Sequence, residues 1–470
     1  MSVEGVGTGA ERPAQRSVSA AAQALLREIA DAGSYRSLAA RAKYPVGAML
    51  ISQTVLGFGA TAVLARALGP RAFGEYALVL TIAGIFQLVA AFPVESGIPK
   101  FLAEVRGQDA GPGPLRGLVR AHYAAGLWCR LGAGLLGLAW CALGAGWLSR
   151  LYRAQALQGP VVVAALSLCL LTPLTLYFMS CIQGMERPRR WATGNLLAAV
   201  IVFPPLLLGA LNFAKWGQFG LMAWIAAGWF GAALACGWLA RGALGFLWPG
   251  RAGGQQLRQL LPFLLPIWIV PLAGFGSKTL MKAALAWHWG PVPLGHFEIA
   301  LTLLGHLAVI YQACMIVLLP EWARLYASKQ ATDLLHSLGQ ARGVLIGAAT
   351  AYGAVLVLAG QWVVPAIFGP DQAGAVPAVR VIGLVMPVMI GGWVASATNV
   401  ISNRTGNIGK ANLIWFAIGV PLGLALIPRL SALGAGLAWL GAYLVFTWYY
   451  VTRARPFFRE VEGWRPLQQP

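Results

Sequence analysis

Apolar runs, each long enough to cross a hydrocarbon layer, follow one another from Tyr44 to Val451 with short polar connections between them. About 18 apolar residues suffice for one crossing helix. The pattern predicts twelve spans, at 45–65, 76–98, 121–147, 159–183, 192–211, 219–240, 260–287, 294–319, 343–367, 378–401, 411–427 and 433–451. No connection is large enough to fold separately. The fold class expected is therefore an all-α integral membrane protein of about 12 transmembrane helices. Residues 1–44 precede the first span as a cytoplasmic tail. Within it, Ser19 to Lys43 carries Leu25, Leu26, Ile29 and Leu38 loosely on one side. It reads either as an amphipathic surface helix with Arg27, Arg36, Arg41 and Lys43 near lipid phosphates, or as a partly disordered tail.

The polar positions orient the spans. With the N-terminus in the cytoplasm, the inner segments hold 25 Lys and Arg and the outer loops hold 6. This positive-inside bias puts both termini in the cytoplasm and requires an even number of spans. Arg130, Lys278, Lys282 and Arg380 are left within spans or at their edges.

The chain also repeats itself. Leu68-Gly69-Pro70-Arg71-Ala72-Phe73-Gly74-Glu75-Tyr76 follows span 1, and Trp289-Gly290-Pro291-Val292-Pro293-Leu294-Gly295-His296-Phe297 follows span 7. Both fit Gly-Pro-x-x-apolar-Gly-x-aromatic. Ile182-Gln183-Gly184 with Asn195 pairs in the same way with Ile401-Ser402-Asn403 and Asn412. The expected architecture is two six-helix lobes, 45–240 and 260–451, joined by a cytoplasmic loop at 241–259 and related by a pseudo-two-fold along the membrane normal. Residues 452–470 form a basic cytoplasmic tail. Six is even, so both copies keep one orientation, a plan common among transporters whose halves rock about a midplane site.

Composition adds three exclusions. The chain is 58% hydrophobic and 11% charged, where soluble domains carry about a quarter charged residues. Its net charge of +20 is concentrated in membrane-flanking segments, without a nucleic-acid-binding motif. Cys129, Cys141, Cys169, Cys181, Cys236 and Cys314 all fall in apolar runs with no CxxC spacing. They read as small buried apolar residues, not as metal ligands or disulfides. No catalytic motif appears. The expectation is no enzyme, no metal and no cofactor.

The stretch Leu64 to Tyr76, followed by Gly97 and Phe101-Leu102-Ala103-Glu104, resembles the N-terminal signature of the polysaccharide flippase family. These are the Wzx-type transporters of the multidrug/oligosaccharidyl-lipid/polysaccharide exporter superfamily. The second Gly-Pro motif is similar to that family's C-lobe signature. The resemblance spans roughly 44–452. It implies a V-shaped two-lobe transporter of the bacterial inner membrane with spans 1, 2, 7 and 8 around a central cavity. It implies an undecaprenyl-diphosphate-linked oligosaccharide as cargo, moved from the cytoplasmic to the periplasmic leaflet for O-antigen (lipopolysaccharide) or exopolysaccharide synthesis. Membrane lipids, a coupling ion (H+ or Na+), a polymerase and other assembly proteins are the partners it implies. The chain departs from the family in span 7, where Ser277-Lys278 and Lys282 stand in place of an acidic or amide residue, and in its long N-terminal tail.

Charges inside spans are the candidate site residues, since each costs about 2.5–3.5 kcal/mol at a helix centre and needs water or a partner. Lys278 and Lys282 share one face of span 7 and suit a diphosphate; alternatively Lys282 snorkels and Lys278 pairs with an acid. Arg130 is a third substrate-binding candidate. Glu298 lies at the depth of Lys282, which suggests an ion pair, structural or gating. Glu95 is a gate candidate or a partner for Lys100 or Arg106. Arg66 is a gate candidate or an interface anchor. His306, well inside span 8, is the candidate for proton coupling. Two other functions compete: a drug/cation antiporter of the same superfamily, which would want acidic cavity residues, and a membrane polymerase or glycosyltransferase, which would want catalytic acids or a large outer loop.

Overall fold

A lipid layer leaves backbone N–H and C=O groups to pair within the chain, so a sequence this apolar folds as helices. The computed structural model describes Tyr44 and residues 46–106, 112–185, 187–244, 254–404 and 406–464. The expectations for the N-terminal tail lie outside the described residues. Residues 45–470 form one compact unit. The helices are α1 (Val46–Ala90), α2 (Val94–Arg106), α3 (Pro112–Leu151), α4 (Gln155–Gly184), α5 (Pro188–Leu211), α6 (Phe213–Leu244), α7 (Gly254–Trp289), α8 (Pro291–Ala327), α9 (Ala331–Phe368), α10 (Val376–Ile401) and α11 (Gly406–Glu462). Among the described residues all but α2, ten helices, are long and apolar enough to cross a membrane.

The expectation of twelve spans counts α1 and α11 twice. α1 turns at Gly69 (φ 71°, ψ 175°), and α11 turns at Ser431 (φ 55°, ψ −136°). Glycine enters such a left-handed region freely; Ser431 does so at a cost of roughly 1–2 kcal/mol.

The sequence repeat is visible in the backbone. Gly290 has φ 79° and ψ −167°, close to the values at Gly69. Gly217 in α6 (φ 57°, ψ −157°) matches Ser431 at the equivalent turn of the second half. Asn195 Nδ2 donates to the Trp191 carbonyl at 3.0 Å, and Asn412 Nδ2 to the Ile408 carbonyl at 2.9 Å. Each half thus reuses the same local solutions at the same points.

The two repeated motifs also meet each other. A Cβ on Gly74 would overlap the Pro291 carbonyl oxygen, and one on Gly295 would lie 3.1 Å from the Gly74 Cα. Backbones that close leave no room for a side chain at Gly74, and a Cβ at Gly295 fits only if its neighbours shift by a few tenths of an ångström. One apolar core runs across this contact, with Phe73, Ala77, Leu294 and Phe297 fully buried.

At the opposite end of the molecule, the segment expected as a basic tail continues α11 to Glu462. Phe457 and Val461 are buried against Trp322 and Leu334. Glu460 accepts from the Tyr326 hydroxyl at 2.5 Å and pairs with Arg404 at 3.0 Å. These apolar positions within a basic stretch anchor the last turns.

Substitution of Gly74 by Leu tests the motif contact. Overpacking of this kind costs about 1–3 kcal/mol or more, so Gly74→Leu lowers the melting temperature in detergent. Gly339→Leu, where a Cβ meets nothing within 4 Å, leaves it unchanged. Equal melting of the two variants contradicts the packing.

Candidate functional site

Helix α1 ends at Ala90 and α2 begins at Val94, so 91–93 lie between them without helical hydrogen bonds. Non-helical backbone at membrane depth needs donors from within the protein. Arg130, on α3, supplies them. Its Nη1 donates to the Phe92 carbonyl at 3.0 Å and to Glu95 Oε1 at 2.9 Å, and its Nη2 donates to the Ala90 carbonyl. The guanidinium is 2% exposed. A cation facing a helix C-terminus and a carboxylate together offsets the burial of its charge. Sequence reading paired Glu95 with Lys100 or Arg106; in the structure its carboxylate pairs with Arg130, while the Lys100 ammonium lies 4.3 Å from the Phe263 ring centroid.

Beside this break lies a cavity of about 1040 Å³. The first half supplies its wall from α1, α2, α3 and α4, and the second half from α7 and α11. Glu95 and Arg130 line it, and so does Lys410, which sequence reading had counted only as a basic loop residue. The resemblance implied spans 1, 2, 7 and 8 as the lining. Here spans 2 and 7 contribute, joined by spans 3, 4 and 11, and spans 1 and 8 do not. A line of contacts from α1 to α7 closes the cavity above. A Cβ on Gly84 would lie 3.6 Å from Thr279 Oγ1 and 3.7 Å from the Phe275 ring, and one on Gly276 3.6 Å from Leu88.

Lys278 and Lys282 lie on α7 beyond this closure and do not line the cavity. Lys282 Nζ sits 2.7 Å from Glu298 Oε2 on α8, with both side chains largely buried. Lys278, one turn nearer the cavity, has no hydrogen-bond or ion-pair partner among the described residues. The Glu298 carboxylate is thus paired with Lys282 and not with Lys278. The His306 ring packs on Phe58, with centroids 5.3 Å apart.

The end bearing Gly69 and Gly290 is shut. Besides the Gly74–Gly295 contact, Arg66 Nε donates to the Ile367 carbonyl at 2.7 Å and Nη2 to the Ala366 carbonyl, at the C-terminus of α9. The buried Gln372 Nε2 donates to the Ala65 carbonyl at 3.1 Å. The seam between the halves is thus closed at one end and hollow at the other.

Residues 46–325, more than half of the chain, match the family described as "Polysaccharide biosynthesis protein". The chain belongs to that family. The polysaccharide biosynthesis family member shares its fold with transporters of known structure. Similar structures include an inward-facing multidrug resistance MATE family transporter of the MOP superfamily (TM-score 0.68, 13% identity, 88% of this chain and 96% of the other). The lipid II flippase MurJ in an inward closed conformation is another (TM-score 0.63, 11% identity, 88% and 89%), as is MATE in complex with MaL6 (TM-score 0.60, 14% identity, 91% and 97%). A search of curated protein sequences gave no significant match. The protein is a multi-pass membrane protein of the polysaccharide biosynthesis family with a MATE- and MurJ-like fold.

Arg130 gives this site a stability prediction. Removing one member of a buried ion pair costs about 3–5 kcal/mol, so Arg130→Met lowers the melting temperature of the purified protein markedly. The double variant Arg130→Met/Glu95→Leu removes the orphaned carboxylate and recovers part of the loss, the remainder reflecting the lost donor to the Ala90 carbonyl, since the Phe92 carbonyl still accepts from the Val94 N–H at 2.8 Å. A double variant no more stable than Arg130→Met alone contradicts the ion pair as the main contribution.

Proposed function

We propose that the protein is a flippase that carries an undecaprenyl-diphosphate-linked oligosaccharide from the cytoplasmic to the periplasmic leaflet of a bacterial inner membrane. The observation that carries this reading is the seam between the halves, shut by the repeated Gly-Pro motifs at one end and hollow at the other. The family membership and the flippase and exporter fold support it. The 25-to-6 distribution of basic residues puts both termini, and the hollow end, in the cytoplasm. The chain is then in an inward-facing state, and transport proceeds by opening the motif contacts and closing the hollow end.

In this reading Lys278 meets the cargo's diphosphate. Among the described residues it has no hydrogen-bonded or ion-paired acid, and it sits just past the cavity's closure, where the seam opens in the opposite state. Lys282, neutralised by Glu298, and Arg130, bound to the helix break, contribute field more than contact. The drug/cation antiporter reading draws on the MATE-like fold, but a lysine with no ion-paired acid repels a cationic drug.

Transport in proteoliposomes tests this. The assay follows loss of a lipid-linked oligosaccharide from the outer leaflet to an impermeant label. One charge-assisted contact contributes about 1.5–3 kcal/mol, so Lys278→Ala slows flipping by roughly tenfold or more, and Lys278→Arg retains part of the rate. Wild-type protein that exports a cationic dye and does not flip the lipid-linked glycan rules the proposal out. Normal flipping by Lys278→Ala removes Lys278 from the mechanism.

A further inference from the structure

The walls of the 1040 Å³ cavity are unlike those of a sugar site. Leu176 on α4, Ile269 on α7 and Leu413 on α11 line it and are 51%, 40% and 47% exposed. Prolines 93, 173, 262 and 271 also line it, and proline offers no backbone N–H. Apolar surface left facing water costs about 25 cal/mol per Å²; the same surface against hydrocarbon costs nothing. Saccharides, by contrast, need many convergent donors and acceptors. The charged groups lining the cavity are Arg130 and Glu95, which neutralise each other at 2.9 Å, and Lys410. Lys410 is exposed, one turn into α11, with no hydrogen-bond or ion-pair partner among the described residues. Its surplus positive charge stands at the mouth of an otherwise apolar crevice, beside the Lys100–Phe263 contact.

From this juxtaposition we infer that the crevice between α2–α4 and α7–α11 seats the polyprenyl chain of the cargo, with Lys410 meeting its phosphate on entry. The inference rests on the flippase reading and adds to it a place for the lipid. An apolar slot with one uncompensated cation at its rim matches a long hydrocarbon carrying an anionic head. Its position between the halves distinguishes it from a surface groove for bulk lipid: a chain held there lies in the seam that must move. The crevice also leads toward Lys278. Pro271, near its closed end, is seven residues before Lys278 on α7, about 10 Å along the helix. The phosphate therefore passes from Lys410 at the rim toward Lys278 in the seam while the chain stays in an apolar channel.

Photolabelling of the purified full-length protein tests this without requiring transport. The probe is a polyprenyl diphosphate bearing a benzophenone on its chain, and adducts are mapped by mass spectrometry. Expected are adducts on peptides containing Leu176, Ile269 or Leu413, competed by unlabelled polyprenyl diphosphate and not by phosphatidylglycerol. Lys410→Glu reduces labelling about tenfold, the loss of one charge-assisted contact, and Lys410→Arg retains it. Equal competition by phosphatidylglycerol makes the crevice a bulk-lipid site and overturns the inference. Adducts confined to other helices, or labelling unchanged in Lys410→Glu, overturn it too. Labelling of the crevice in a protein that flips no lipid-linked glycan would sink the flippase reading and leave the lipid site standing.

Discussion

A bilayer offers no partner to a backbone N–H or C=O, and the structure is organised around the few places where the chain leaves helical geometry within it. The break at 91–93 is the most consequential. Three groups left by it, two carbonyls and the carboxylate of Glu95, converge on the guanidinium of Arg130. The break lies in the wall of the crevice, and Arg130 makes it tolerable. Its charge is therefore committed to the scaffold. An arginine inside a span, which by composition alone is a candidate ligand for an anion, serves here to hold the wall beside which an anion would pass.

The turns at the other end follow a different logic. Gly69 and Gly290 are needed for their backbone conformation, since a Cβ at either meets nothing within 4 Å. Gly74 and Gly295 are needed for space. One motif thus carries two glycines for two physical reasons, a turn that proceeds through positive φ and a backbone approach too close for a side chain. Because both copies of the motif meet in one contact, the repeat closes the seam with itself. Without a hydrophobic effect between helices in lipid, such close backbone packing is a main source of association.

Between these two ends the charges are graded. Lys410 lies at the rim, the neutral pair Arg130–Glu95 in the wall, Lys278 past the closure and the pair Lys282–Glu298 beyond it. The paired charges fix helices to one another, α3 to α2 and α7 to α8. Lys278 and Lys410 have no such acid partner among the described residues, which is why the proposed anionic head is assigned to them. Among the described residues, the frame of neutral pairs is thus separate from the two lysines that have no acid partner.

How much of this was legible in the sequence follows from what is local. The dominance of helices, the Gly-Pro turns and the repeated motifs are properties of short segments and their spacing, and they are readable from residues alone. The Lys282–Glu298 pair was within reach because the two residues sit at one depth on consecutive spans. Arg130 and Glu95 are 35 residues apart on helices whose lateral placement no pattern announces, and Lys410 read as one more basic loop residue. In water, an amphipathic stripe tells which face of a helix is buried. In lipid every face is apolar, so periodicity carries little information about neighbours. The sequence therefore determined that the chain is a succession of apolar helices and where its Gly-Pro turns and repeated motifs lie. Only the tertiary structure decided which helices line the crevice, which charges are neutralised and which end of the seam is shut, because those depend on lateral packing that the hydrophobic pattern does not encode.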